Sequence, residues 1–97
     1  MLTTVTHVKN PYDIYIGRGG RFGNKVYQES LLHNPFHIGK DGTREQVIEK
    51  YRVYFYNRLK DPVFYTEVLK AKGKILGCWC YPQKCHGNVI ADFLNSL

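Results

Sequence analysis

Apolar and polar positions change their spacing several times along the chain, and each change marks an element. Thr3 to Lys9 alternates, with Val5 and His7 on one face and Thr4, Thr6 and Val8 on the other. It is rich in β-branched residues, so it predicts a strand, and Asn10-Pro11 ends it. Asp13 to Ile16 predicts a second short strand that runs into Gly17-Arg18-Gly19-Gly20-Arg21-Phe22-Gly23-Asn24, where the chain turns. From Lys25 to Phe36 the pattern is mixed: Val26, Tyr27, Leu31 and Leu32 support a short helix. His33-Asn34-Pro35 stops it, because the residue before a proline is pushed out of the helical region.

Gly39-Lys40-Asp41-Gly42 is a turn, and Thr43 followed three residues later by Gln46 fits a capping box, with Glu45 in the first turn where the helix dipole favours it. The helix it opens, about Arg44 to Leu59, sets Val47, Ile48, Tyr51, Tyr54, Phe55 and Leu59 on one stripe. Asp61-Pro62 reads as an N-cap and first-turn proline for a second helix ending near Gly73. Lys74 to Cys80 is a near-continuous apolar run, the pattern of a central strand buried on both faces. Val89, Ile90, Phe93, Leu94 and Leu97 recur at helical spacing and predict a closing helix. Strands, two helices, a buried strand and a last helix describe one α/β domain over residues 1–97. We expect it to be Rossmann-like, with a short, mostly parallel or mixed sheet and helices packed on it.

Composition fits that picture. The 97 residues are 43% hydrophobic and 23% charged, an ordinary globular balance rather than a disordered one. No stretch approaches the roughly 20 apolar residues needed to cross a bilayer. The start, Met1-Leu2-Thr3-Thr4, lacks the basic then apolar pattern of a signal peptide, so neither a membrane partner nor export is expected. Cys78, Cys80 and Cys85 are odd in number and too close together to staple a secreted scaffold, which fits a reducing, cytoplasmic setting. The net charge of +6 points to an anionic partner: a nucleotide, another phosphate or nucleic acid.

Two stretches are candidates for chemistry. In the first, Gly17, Gly19, Gly20 and Gly23 permit positive φ and close approach, so backbone N–H groups can converge on an anion while Arg18 and Arg21 add planar cationic forks. It lacks the Gly-Lys-Ser/Thr of a Walker loop, and Phe22 stands where the dinucleotide fingerprint has its third glycine. A plain glycine-rich connection with solvated arginines is the alternative. The second stretch is Gly77-Cys78-Trp79-Cys80, Pro82 and Cys85-His86-Gly87. Strand alternation would send Cys78 and Cys80 one way and Trp79 the other. Cys85 and His86 fall near the start of the last helix, where free N–H groups lower a thiol pKa and attract anions.

Three readings of these cysteines stand side by side. Zinc would take Cys78, Cys80, Cys85 and His86, although the spacing is not the usual pair of distant Cys-x2–4-Cys units. Buried inert thiols beside a core tryptophan are a second reading, and a reactive or ligand-facing Cys85 with His86 is the third. His7, His33 and His37 are scattered and read as surface or packing residues. The tyrosines from Tyr51 to Tyr56 fit core and boundary positions better than a base-stacking face. Arg44, at a helix N-terminus, adds a cation to the same anion site.

These motifs together resemble the small phage and microbial proteins grouped as domain of unknown function 4326. The likeness is carried by Tyr15-Ile16-Gly17-Arg18, Gly23-Asn24, Asn34-Pro35-Phe36, Ile38 to Arg44, Cys78-Trp79-Cys80 with Pro82, and Cys85-His86-Gly87, nearly the whole chain. In such proteins Gly-Asn runs directly into Pro-Phe; here Lys25 to His33 intervenes, so both Asn24 and Asn34 are candidates for the asparagine of the motif. The resemblance implies one domain with a shared site built from the loop and the Cys-His-Gly corner, and it carries no activity.

The expectation is therefore a small domain that binds a phosphate-bearing small molecule, nucleotide-like, through Gly17, Arg18, Gly19, Gly20, Arg21, Gly23 and Arg44, joined by the amides of Gly87 and Asn88. If it is an enzyme, Cys85 or His86 beside Asn24 would work in hydrolysis or transfer at a phosphate or glycosyl bond. No cofactor is implied. A basic nucleic-acid-binding accessory protein using Lys70, Lys72, Lys74 and Lys84, and a zinc-stabilised interaction module, are the alternatives.

Overall fold

The computed structural model describes all 97 residues. Its sheet is built from β1 (Thr4–His7), β2 (Ile14–Tyr15) and, much later in the chain, β5 (Ile75–Cys78), all parallel in the order β1-β5-β2. The apolar run after Gly73 thus becomes the central strand, with Leu76, Gly77 and Cys78 buried. Val5 pairs with Leu76 and His7 with Cys78 on one side, and Ile14 pairs with Leu76 on the other. To pass from β1 to β2 the chain crosses over β5, and the ring of Tyr12 lies directly on Gly77. A Cβ at that glycine would stand 2.7 Å from Tyr12 Cγ, so the close approach requires the missing side chain.

Helices follow the caps read from the sequence. α1 (Arg44–Arg58) is opened by the Thr43–Gln46 capping box, with Gln46 N–H donating to Thr43 Oγ1 and Thr43 N–H to Gln46 Oε1. Val47, Tyr51 and Phe55 of the expected stripe are buried, flanked by half-buried Ile48, Tyr54 and Leu59. α2 (Pro62–Lys70) starts on Asp61, whose carboxylate accepts the Val63 N–H, and it stops at Ala71, before the expected end near Gly73. α3 (His86–Asn95) begins three residues earlier than its apolar stripe, capped by Cys85, and packs on β1 and α1. The core is Tyr51, Phe55, Phe64, Val68, Leu76, Ile90 and Leu94 with Ile16. Thr3 and Asn95 exchange two hydrogen bonds, tying the N-terminal strand to the last helix. No helix is long and apolar enough to cross a membrane.

Residues 20–36 differ from the expectation. In place of a single turn followed by a short helix, β3 (Gly20–Phe22) and β4 (Lys25–Tyr27) form an antiparallel hairpin closed by Gly23-Asn24. Gly23, at φ 64°, supplies the left-handed residue that a two-residue hairpin turn needs. What holds the hairpin down is aromatic: Phe22 and Tyr27 pack on Trp79 with ring centroids 4.8 and 5.3 Å away, and Tyr27 also lies 4.8 Å from Tyr15. The helical pattern at Val26, Tyr27, Leu31 and Leu32 was too short to outweigh that platform. Leu32 is instead buried in the core, and Tyr51 donates its hydroxyl to the Leu32 carbonyl at 2.8 Å.

Candidate functional site

Parallel strands leave their carboxyl ends at one edge of the sheet, and in open α/β folds ligands collect there. At that edge β2 runs into Ile16-Gly17-Arg18-Gly19, and β5 runs into Trp79 and Cys80. The first turns of α1 and α3 and the segment Asn34–Ile38 complete a cleft of about 560 Å³. The glycine loop and the Cys-His corner, far apart in the chain, both line it. Gly17 and Gly19 serve close approach rather than positive φ: a Cβ on Gly17 would collide with the Tyr15 hydroxyl, and one on Gly19 would come within 2.9 Å of the Glu29 backbone nitrogen.

Three permanent cations line the cleft, Arg18, Arg44 and Lys84, with His37, and no Asp or Glu is among the lining residues. Arg18 donates from Nη2 to the Phe36 carbonyl at 2.8 Å, while its Nε is buried without a partner. Arg44 reaches from the start of α1 to the Lys84 carbonyl at 3.2 Å, joining the entrances of α1 and α3. The opposite chemistry is aromatic. Trp79, Phe22, Phe36 and Tyr15 all line the cleft, and Trp79 is 40% exposed. Its indole N–H donates to the Tyr15 hydroxyl, which in turn donates to the Arg18 carbonyl.

The Cys-His corner is arranged differently from the expectation. Cys85 is the N-cap of α3: its sulfur accepts the Gly87 N–H at 3.3 Å, and its own N–H donates to the Asn88 side chain at 2.9 Å. The Gly87 and Asn88 amides are therefore committed to the cap rather than offered to an anion; Gly87 is also buried against Ile16 and Val5. His86 lines the cleft, but its Nε2 lies 2.7 Å from the Ile16 carbonyl, which fixes the proton on that nitrogen. Burial holds its pKa down at about 4, with the Arg18 cation adding to the effect, so the ring is neutral and props the strand end against Tyr51. These contacts give His86, a candidate for hydrolysis or transfer chemistry, a positioning role.

Cys78 and Cys85 present their sulfurs to each other at 2.9 Å, both buried and both lining the cleft. Cys78 is the member that ionises more readily, since hydrogen bonding, with Cys85 above all, outweighs its burial. Cys85, donating to Cys78 and buried, is pushed up. Cys85, one candidate for a reactive thiol, is thus the proton holder of the pair. No group of three or more His, Cys, Asp or Glu side chains is arranged to hold a metal ion.

Of the other expected residues, Gly20, Arg21, Gly23 and Asn24 lie outside the cleft lining, on the exposed hairpin. Asn34 occupies the site that Asn24 was expected to fill: it is buried, lines the cleft and accepts the Phe36 N–H at 2.9 Å. Strand alternation failed beyond Cys78, where β5 ends, so Trp79 and Cys80 both reach the cleft with Cys78. Phe22, Phe36, His37, Ile38 and Lys84 were missed as lining residues. Among them Phe36 and Ile38 fall in motifs that the sequence carries, Asn34-Pro35-Phe36 and Ile38 to Arg44.

The arrangement defines a small parallel α/β domain with a cationic, aromatic-walled cleft at the carboxyl edge of its sheet. The chain belongs to the family described as "Domain of unknown function (DUF4326)", whose model matches residues 3–96. It is similar to the "Uncharacterized 12.4 kDa protein in nrdA-td intergenic region" of Enterobacteria phage T4, 35% identical over 96% of this chain and 77% of the phage protein. It is also similar to "Uncharacterized protein R718" of Acanthamoeba polyphaga mimivirus, 35% identical over 80% of this chain and 63% of the viral protein. No solved structure matches it significantly.

Proposed function

We propose that this domain binds a phosphate-bearing small molecule, a nucleotide or a compound derived from one, in the cleft between Arg18 and Cys85. The observation that carries the reading is charge without countercharge: Arg18, Arg44 and Lys84 converge on one cleft that no carboxylate lines. Like charges gathered this way repel, and an anionic ligand relieves them. The buried, unpartnered Nε of Arg18 is a donor left without an acceptor, and such a group costs on the order of 1–3 kcal/mol until something accepts from it. A phosphate oxygen is a fitting acceptor. The aromatic wall of Trp79, Phe22 and Phe36 offers a base its stacking surface, and about 560 Å³ falls within the range of small-molecule sites. A cytoplasmic setting belongs to the same reading, since three free thiols suit a reducing compartment.

Titration calorimetry with ADP, AMP, adenosine and orthophosphate tests it. ADP and AMP are expected to bind more tightly than adenosine or orthophosphate, because each carries both a base for the aromatic surface and a phosphate for the cationic one. If none of the four binds while duplex DNA does, with an affinity that falls steeply with salt, the surplus lysines serve a polymer and the proposal fails.

A further inference from the structure

We propose that Cys78 is a nucleophile and that the cleft cleaves a phosphoanhydride of the nucleotide it holds, an inference that rests on the binding reading above. Cys78 closes the central strand and lines the same cleft as Arg18, Arg44 and Lys84. A buried thiol ordinarily stays protonated, because a thiolate loses its hydration. Here the sulfur lies 2.9 Å from that of Cys85, and hydrogen bonding with that thiol outweighs burial and holds the Cys78 pKa below the ordinary thiol value. A donor held against the sulfur is what a thiolate needs in place of water. Cys85 is held in turn by its role as N-cap of α3, so the pair is fixed by the fold.

The surroundings select the bond. Cations placed around a thiolate favour attack at phosphorus, where they neutralise the equatorial oxygens as charge spreads over them. No Asp or Glu lines the cleft, His86 is committed to the Ile16 carbonyl, and His37 is the one other histidine of the lining. A leaving group that departs without being protonated is therefore the best served, and the phosphate released from an anhydride is one. The Cys78 thiolate attacks the terminal phosphorus, forming an S–P bond as the bond from phosphorus to the bridging oxygen breaks. That oxygen leaves with the electron pair on the shortened nucleotide. Cys85 keeps its proton throughout. Water then attacks the phosphorus and loses a proton to solvent, the S–P bond breaks, and orthophosphate and the Cys78 thiolate are regenerated.

The test is orthophosphate release from ADP and ATP by the purified protein, with mass spectrometry of the peptide Ile75–Lys84 prepared at mildly alkaline pH. Release is expected, with a phosphoryl adduct on Cys78 during turnover. Cys78→Ser should lower release by at least about a hundredfold while ADP still binds. Cys85→Ala removes a donor to Cys78 and should move the acid limb of the pH–rate profile to higher pH, which a purely structural role would not do. If Cys78→Ser fails to fold, the adduct on the unsubstituted protein decides. Binding of ADP with neither release nor adduct overturns the nucleophile and leaves the binding reading standing. Release undiminished in Cys78→Ser also overturns it, and failure to bind any nucleotide sinks both.

Discussion

Tyr15 and Trp79, 64 residues apart, are joined by a hydrogen bond of 2.9 Å in which the indole N–H donates to the phenol oxygen. The same hydroxyl donates to the Arg18 carbonyl at 2.7 Å, so one group couples the aromatic wall of the cleft to its cationic loop. Tyr15→Phe removes both bonds from a partly buried site. We expect a loss of about 1–2 kcal/mol in denaturant unfolding and weaker ADP binding by calorimetry. Unchanged binding would show that the coupling does not position Arg18.

Arg18 and Arg21 separate the two halves of the glycine-rich stretch. Arg18 lines the cleft, whereas Arg21 is exposed on β3 outside it. Arg18→Ala should weaken ADP binding by about tenfold or more, in line with the loss of a charge-assisted hydrogen bond. Arg21→Ala should leave the affinity unchanged. Equal losses in both variants would mean that the ligand lies over the hairpin instead.

His86 makes stability depend on pH. Its folded pKa of about 4 is below the ordinary value of 6.5, so the unfolded chain binds the proton more readily. The contribution is fully present above pH 6.5 and is lost as pH falls toward 4, up to about 3 kcal/mol for a shift of this size. Urea melts of the native protein and of His86→Gln across that window should give a smaller slope for the variant. Parallel curves would place the titration elsewhere.

Gly77 and Tyr12 form a steric pair. Gly77→Ala drives a methyl group toward the ring that crosses β5, with contacts of 2.7–2.9 Å, and should destabilise by about 1–3 kcal/mol. Adding Tyr12→Ala should recover part of that loss, because the methyl then has room. A double-mutant cycle measures the coupling, and strict additivity would mean that the strand, not the ring, yields.

Much of this architecture is legible in the chain because local rules and the fold agree there. Thr43 and Gln46 announce α1, Asp61-Pro62 announces α2, and the apolar run at Ile75 to Cys78 reads as the strand buried between neighbours. The hairpin was not legible, since its strands are three residues each and depend on Trp79, more than 50 residues later, for the surface they pack on. The site divides along the same line. Arg18, Arg44, Cys85 and His86 sit at element ends that spacing reveals. Which sulfur ionises depends on a contact between Cys78 and Cys85, and the commitment of the Gly87 and Asn88 amides depends on a cap made by a cysteine; neither is written in spacing.

The hairpin's backbone hydrogen bonds are its own, and side-chain rings fasten it to the main sheet. Substitution or resizing of that lobe leaves the parallel strands untouched while reshaping one wall of the chamber. Descent with modification could therefore retune what is admitted without renegotiating how the domain folds.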